Sequence, residues 1–257
     1  MAEARPAGAR IGSAQTAFGQ TLRRDAWWLE LAPVILLLGG FGVYATLRAF
    51  EGSYYEWGPY LSPFYSPLID VHHRWWPWSP ALLILAGPLG FRITCYYYRK
   101  AYYRAFFLDP PACAVSESGK RQYRGETRFP FILQNLHRYF LYLAAVFLGF
   151  LWHDAFHAFF FEGHLGVGVG SLVLLVNIIL LSLYLLSCHS LRHLVGGKLD
   201  CFSCAAAGGP RYRLWHGASL LNESHMLYAW ISLISVGFAD FYVRMLASGA
   251  IRDVRLL

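Results

Sequence analysis

The densest collection of metal-competent side chains in the chain is CHSLRHLVGGKLDCFSC, Cys188 to Cys204. His189 and His193 are spaced i, i+4, which on a helix puts both rings on one face about one turn apart, near enough to share a metal. Cys201 and Cys204 form a C-x-x-C that begins eight residues after His193. Gly196 and Gly197 end the helix and let the chain turn back, so two imidazoles and two thiolates can converge on one small volume. Two histidines on one iron and two cysteines on the other is the Rieske ligand set. The order departs from the soluble Rieske pattern, in which each Cys is followed closely by a His. A His pair alone at a helix end is more often a hydrogen-bonded interfacial feature, so spacing leaves metal, cluster and plain burial open.

The elements that must position these groups are set by the solvent, which for most of this chain is lipid. Hydrophobic residues make up 56% of the 257 residues and charged residues 14%, with a mean hydropathy of +0.37, against roughly 25% charged residues in soluble domains. A bilayer core of about 30 Å needs roughly 20 apolar residues per helix. Apolar runs begin near Trp27, Ala81, Tyr139, Leu165 and Met226 and end near Leu47, Tyr98, Phe161, Ser187 and Ala247. The fold expected is all-α, an integral membrane bundle of five transmembrane helices over residues 27–257, after a polar segment 1–26 without the apolar stretch of a signal peptide. No internal repeat is evident.

Cytoplasmic loops retain Lys and Arg. Arg5, Arg10, Arg23 and Arg24 precede the first span; Arg99, Lys100, Arg104, Lys120, Arg121, Arg124, Arg128 and Arg138 lie between the second and third; Arg192, Lys198, Arg211 and Arg213 follow the fourth. The alternate loops hold mainly Arg74 and the acids Glu51, Glu56, Asp70 and Glu162. The N-terminus is therefore expected in the cytoplasm and the C-terminus outside. This topology accounts for the net charge of +7, which leaves no role for nucleic acid.

Depth then sorts the remaining ligands. All five cysteines, Cys95, Cys113, Cys188, Cys201 and Cys204, fall on the cytoplasmic side, where stable disulfides are rare, so metal or burial is the better reading. A second His pair, His153 and His157 in WHDAFH, falls near the external face, as do His72, His73 and His164, whereas His137, His216 and His225 are internal. His boxes at opposite surfaces argue against a di-iron desaturase and keep open a bis-His haem b at either face. Asp154 is a candidate hydrogen-bond partner for a neighbouring His, or a proton carrier. Aromatics make up 18% of the chain, crowded into YYYRKAYYRAFF and RYFLYL. Interfacial anchoring explains most of them, and an aromatic, cationic lining also suits a flat quinone.

The segments TCYYYRKAYYRAFF, DPPACAV, LQNLHRYFLY, CHSLRHLVGG and LNESHMLYAW, followed by Asp240 to Arg244, together resemble the membrane-anchor subunit of the actinobacterial class of succinate dehydrogenase, respiratory complex II. The resemblance spans most of the stretch from Thr94 to Arg244. It implies a multi-pass subunit of the plasma (inner) membrane that is not catalytic alone. Its partners would be a flavoprotein that oxidises succinate, an iron-sulfur protein that carries the electrons, lipid and quinone. It further implies a haem-free anchor with a Rieske-type [2Fe-2S] cluster near the cytoplasmic face. His189 and His193 match CHSLRH, Cys95 and Cys113 sit in matching segments, Cys201 and Cys204 are favoured by local spacing, and His225 is a candidate substitute for either imidazole. Electrons would pass to menaquinone or ubiquinone, for which His137, Arg138, Tyr139 and Trp215 are the pocket candidates. Two alternatives remain at this point: a dihaem cytochrome b anchor of a fumarate reductase or other quinone-linked oxidoreductase, and a non-redox membrane module.

Overall fold

The structure is a computed structural model and describes residues 17–69, 78–117, 126–129, 131–197 and 199–257. Arg5, Arg10, Asp70, His72, His73, Arg74, Lys120, Arg121, Arg124 and Lys198, which enter the charge and ligand expectations, lie outside the described residues.

After a single 3-10 turn at Trp27–Glu30, helix α1 runs Leu31–Glu51. Helix α2 runs Ala81–Thr94 and α3 Tyr96–Phe106. Helix α4 is His137–His157, α5 Val169–Leu186, α6 His189–Gly196, α7 Gly208–Glu223 and α8 His225–Ala247. Among the described residues four helical segments, containing α1, α4, α5 and α8, are long and apolar enough to cross a membrane. The expected second span is different. Its helix stops at Thr94, and α3 leaves at 80°, because Arg99, Lys100 and Arg104 recur among tyrosines from there on and an interface accepts them better than lipid does. With 14 residues, α2 covers about 21 Å, short of the roughly 30 Å core, so a fifth crossing needs α2 and α3 together.

The helices carry apolar residues outward as well as inward: Leu36, Val43, Val146, Val176 and Ile234 are all exposed. Water would penalise that surface and lipid does not. Close approach depends on small residues. A Cβ built on Gly90 of α2 would lie 2.2 Å from the Phe140 ring of α4, and one on Gly87 would lie 2.7 Å from Phe147, so the absent side chains let these helices meet.

The end of the bundle opposite the cysteines is closed by two hairpins and the C-terminal residues. Strands β1 (Glu56–Trp57) and β2 (Tyr60–Leu61) form one, and β3 (Phe160–Phe161) and β4 (His164–Leu165) the other. The second turns through Glu162 and Gly163, both at positive φ (49° and 86°), the backbone a two-residue loop requires. The C-terminal chain runs back over α5, with Val169 N–H donating to Val254 O at 3.0 Å and Val167 N–H to Leu257 O at 3.1 Å. Asp253 there accepts from Tyr60 Oη (2.6 Å), Tyr242 Oη (2.8 Å) and Gly170 N–H (3.1 Å). Burial, with this carboxylate beside it, pushes the Tyr60 phenol up to about 12, so it stays a neutral donor. Asp253→Ala leaves the fully buried Tyr60 phenol with only the longer contact to Ser171 Oγ (3.3 Å) and strands a helix N-terminal amide. It is expected to destabilise the fold by about 2 kcal/mol, seen as a lower melting temperature and faster amide exchange at Val167–Gly170.

Candidate functional site

Two breaks in helical geometry create the site. Cys95, between α2 and α3, has φ −65° and ψ 131°; Cys188, between α5 and α6, has φ −64° and ψ 132°. Each is the N-cap of the following helix, where free N–H groups and the helix dipole favour a thiolate. Both side chains are buried, at 2% and 1% exposure. Burial pushes the Cys188 thiol up, opposed by the backbone N–H groups of Leu191 and Ser190.

Two histidines meet these sulfurs, each the first residue of a long helix. His137 Nε2 of α4 lies 3.3 Å from Cys188 Sγ, and His225 Nε2 of α8 lies 3.5 Å from Cys95 Sγ. The residue before each cysteine fixes the opposite ring nitrogen: Thr94 Oγ1 is 2.9 Å from His137 Nδ1, and Ser187 Oγ is 2.7 Å from His225 Nδ1. A hydroxyl has one hydrogen. Thr94 donates it to Gly90 O (2.7 Å) and Ser187 to Tyr184 O (3.0 Å). So engaged, both hydroxyls can accept from Nδ1–H, the tautomer that turns each Nε2 lone pair toward a sulfur.

The halves match further. Phe91 stacks on His137 with centroids 4.8 Å apart, and Tyr184 on His225 at 5.1 Å. Both halves thus read aromatic-x-x-hydroxyl-Cys-x-x-x-Arg: Phe91, Thr94, Cys95, Arg99 and Tyr184, Ser187, Cys188, Arg192. This is a short internal repeat, where none is expected from the sequence. The hydroxyl of each half orients the histidine that faces the other half's cysteine.

Among the described residues no group of three or more His, Cys, Asp or Glu gathers around one point. A mononuclear site needs such a group. A two-iron cluster instead needs two donors at each of two neighbouring points, and two sulfurs with two imidazoles in one buried cluster are that inventory. The hydroxyl of Tyr184 fits the same chemistry: it is buried and turned to Cys95, as a donor meant for a cluster sulfur would be.

The remaining expected ligands lie apart from this pair of pairs. His189 and His193 do share a face of α6, but both are exposed, because the first inward residue of that helix is Cys188. His193 Nδ1 lies 2.9 Å from Arg138 Nη2. Cys201 and Cys204 are bonded to each other in a disulfide, which corrects the expectation of two free thiolates, and Cys113 is exposed. Trp215 packs on Phe202 under the Arg192 guanidinium, with centroids 5.6 Å apart and Arg192 at 5.3 Å. Tyr139 points outward with 69% exposure. At the far end, His153 and His157 stack at 6.0 Å on one face of α4, and Asp154 meets His153 and accepts from Ser66. Cys188 is not among the expected ligands, and His137, expected at the quinone, lies beside it.

Beside the site, an apolar cavity of about 490 Å³ opens between α1, α2, α4, α5 and α8. Phe91 and Tyr184, the rings that cover the two imidazoles, are part of its wall, and Arg92 is its one charged lining residue. At the cysteine end a second cleft, lined by Arg23, Arg99, Lys100 and Arg104 with Glu30, Asp109 and Glu126, is braced by ion pairs from Arg99 to Glu126 (3.0 Å) and Arg104 to Glu30 (3.2 Å).

Comparison with known proteins agrees with this architecture. Residues 29–249 match the family described as actinobacterial succinate dehydrogenase subunit SdhC. A chain of the Mycobacterium smegmatis Sdh1 complex in the apo form is similar in structure, with a TM-score of 0.83 and 45% identity over 92% of this chain and 94% of that one. No curated protein matches. The chain belongs to the actinobacterial succinate dehydrogenase SdhC family and is the membrane-anchor component of that enzyme complex.

Proposed function

We propose that this anchor passes electrons to a quinone through a [2Fe-2S] cluster of the Rieske type held by Cys95, Cys188, His137 and His225. The observation that carries the reading is a pair of imidazoles, each held at Nδ1 by a hydroxyl and facing a buried sulfur with Nε2. When bound, such a cluster exchanges single electrons at roughly −150 to +300 mV, against about −400 mV for all-cysteine ligation. A quinone acceptor of mild potential needs that range.

The residues do the rest. Thr94 and Ser187 hold the imidazole tautomers; Phe91 and Tyr184 shield the rings from water and separate them from the cavity by one aromatic thickness. The cavity, rather than His137, Arg138, Tyr139 and Trp215, suits a flat apolar ring with a hydrocarbon tail, either menaquinone or ubiquinone. The dihaem alternative lacks comparable support, since stacked histidines on one helix face are not opposed axial ligands.

Five crossings follow if α2 and α3 count as one bent span. Arg23, Arg24, Arg99, Lys100, Arg104, Arg128, Arg192, Arg211 and Arg213 belong to the cysteine end, whereas the far end has Arg48 and Arg244, which both pair with Glu51, and Arg252 and Arg255 of the C-terminal chain. That bias supports a cytoplasmic N-terminus and an external C-terminus in the plasma membrane. The flavoprotein and iron-sulfur subunits would then dock over the basic cleft.

The test is a comparison of two double variants in the purified complex. His137→Ala with His225→Ala is expected to lose acid-labile sulfide, the Rieske-like EPR signal and quinone reduction, with succinate oxidation by a dye retained. His189→Ala with His193→Ala is expected to keep all four. The opposite pattern overturns the ligand assignment.

A further inference from the structure

The two half-sites correspond position by position, and their differences are informative because they meet. Tyr184 stands where the first half has Phe91, and Arg92 stands where the second has Leu185. At these two positions the first half supplies a charge and the second a phenol. The Arg92 guanidinium carbon sits 4.8 Å from the Tyr184 ring centroid and 5.6 Å from that of Tyr98.

Among the described residues the Arg92 guanidinium donates to neutral acceptors. Nη1 donates to Tyr98 Oη (2.5 Å) and Ala229 O (3.2 Å), and Nη2 to Ser232 Oγ (3.1 Å). Among the described residues no Asp or Glu forms an ion pair with it. A half-buried cation inside an apolar bundle costs free energy unless an opposite charge offsets it. The aromatic faces offset part of that cost, and the rest calls for an anion nearby.

The proposed centre provides that anion, and only in one redox state. Two thiolates and two neutral imidazoles around an oxidised two-iron, two-sulfide core sum to zero charge, and the added electron leaves one negative charge. We infer that Arg92 is the counter-charge for that electron, acting through and beside Tyr184 to favour the reduced centre and so set its potential. This is a positioning role, and it rests on the cluster reading above. The electron comes from succinate by way of the iron-sulfur partner and leaves to quinone; Arg92 neither gains nor loses a proton.

The experiment is a redox titration of the intact complex followed by EPR, with iron and sulfide measured on the same samples. In Arg92→Gln, which can keep hydrogen bonds to Ala229 O and Tyr98 but not the charge, cluster content should match the unsubstituted complex. Reduction should become about tenfold less favourable, a midpoint lower by about 59 mV for one electron. Arg92→Lys keeps the charge and should hold the midpoint well inside that interval. A midpoint in Arg92→Gln equal to that of the unsubstituted complex overturns the inference. So does a raised KM for quinone with an unmoved midpoint, which would make Arg92 a quinone contact. If Arg92→Gln does not assemble, Arg92→Lys decides: a tenfold shift there, with the charge intact, overturns the role. Absence of sulfide and EPR signal from the unsubstituted complex would sink the cluster reading itself, and this inference with it.

Discussion

Cys188→Ala is expected to cut quinone reduction by the assembled complex more than about 100-fold, the upper end of what loss of a mere orienting group costs, while succinate oxidation by a soluble dye continues. The reason lies in how the chain spends this residue. A thiol at 1% exposure on the N-cap of α6 faces His137 Nε2 at 3.3 Å, and in the proposed centre both atoms turn to iron, so removing the sulfur removes a ligand. Cys95→Ala should be equally severe, and the double variant no worse than either single one, because donors that hold one cluster act as a unit. Cys113→Ala, and Cys201→Ala with Cys204→Ala, serve as controls expected to leave both activities unchanged. Acid-labile sulfide measured alongside the two assays checks the outcome; full quinone turnover in Cys188→Ala would remove this cysteine from the site.

Hydropathy locates α1, α4, α5 and α8 to within about a turn, since a bilayer demands long apolar runs and little else competes with that signal. The break at Cys95 is less legible. Ile93, Thr94, Cys95 and Tyr96 would all be tolerated in a continuing helix, and only the recurrence of Arg99, Lys100 and Arg104 marks a chain that has reached the interface. The hairpin that shortens the third and fourth spans is likewise hidden in apolar residues such as Phe160, Phe161 and Leu165, which serve a strand as well as a helix.

The site is harder to read than the fold because its ligands are distant in sequence. Cys95 and His225 are separated by 130 positions, and His137 and Cys188 by 51. Local density points instead to the stretch from His189 to Cys204, where proximity in sequence is real but the α6 face is turned outward. His189 matches the resemblance in CHSLRH just as Cys188 does, and nothing in spacing separates the two; the backbone break does, by making Cys188 the inward residue. What the sequence does hold is the twice-repeated aromatic-x-x-hydroxyl-Cys-x-x-x-Arg pattern. Its physical content is legible once stated: a ring to stack, a hydroxyl to fix a tautomer, a cysteine to cap a helix.

That middle element makes the sharpest prediction. Thr94→Val keeps the shape of the side chain and removes the hydroxyl, so His137 Nδ1–H loses its acceptor, and a proton moved to Nε2 would sit where the iron must bind. Ser187→Ala does the same to His225. Each change is expected to weaken cluster retention or quinone turnover by about 10–100-fold. The double variant should depart from additivity because both act on one shared centre. Thr94→Ser and Ser187→Thr keep an oxygen at the same place and should retain turnover, which separates loss of the hydrogen bond from loss of packing against Phe91 and Tyr184. Sulfide remaining after a fixed chelator exposure, compared across the six samples including the unsubstituted complex, is the measurement. If Val and Ser at position 94 behave alike, the hydroxyl does not set the tautomer, and the imidazoles must be oriented by the stacked rings alone.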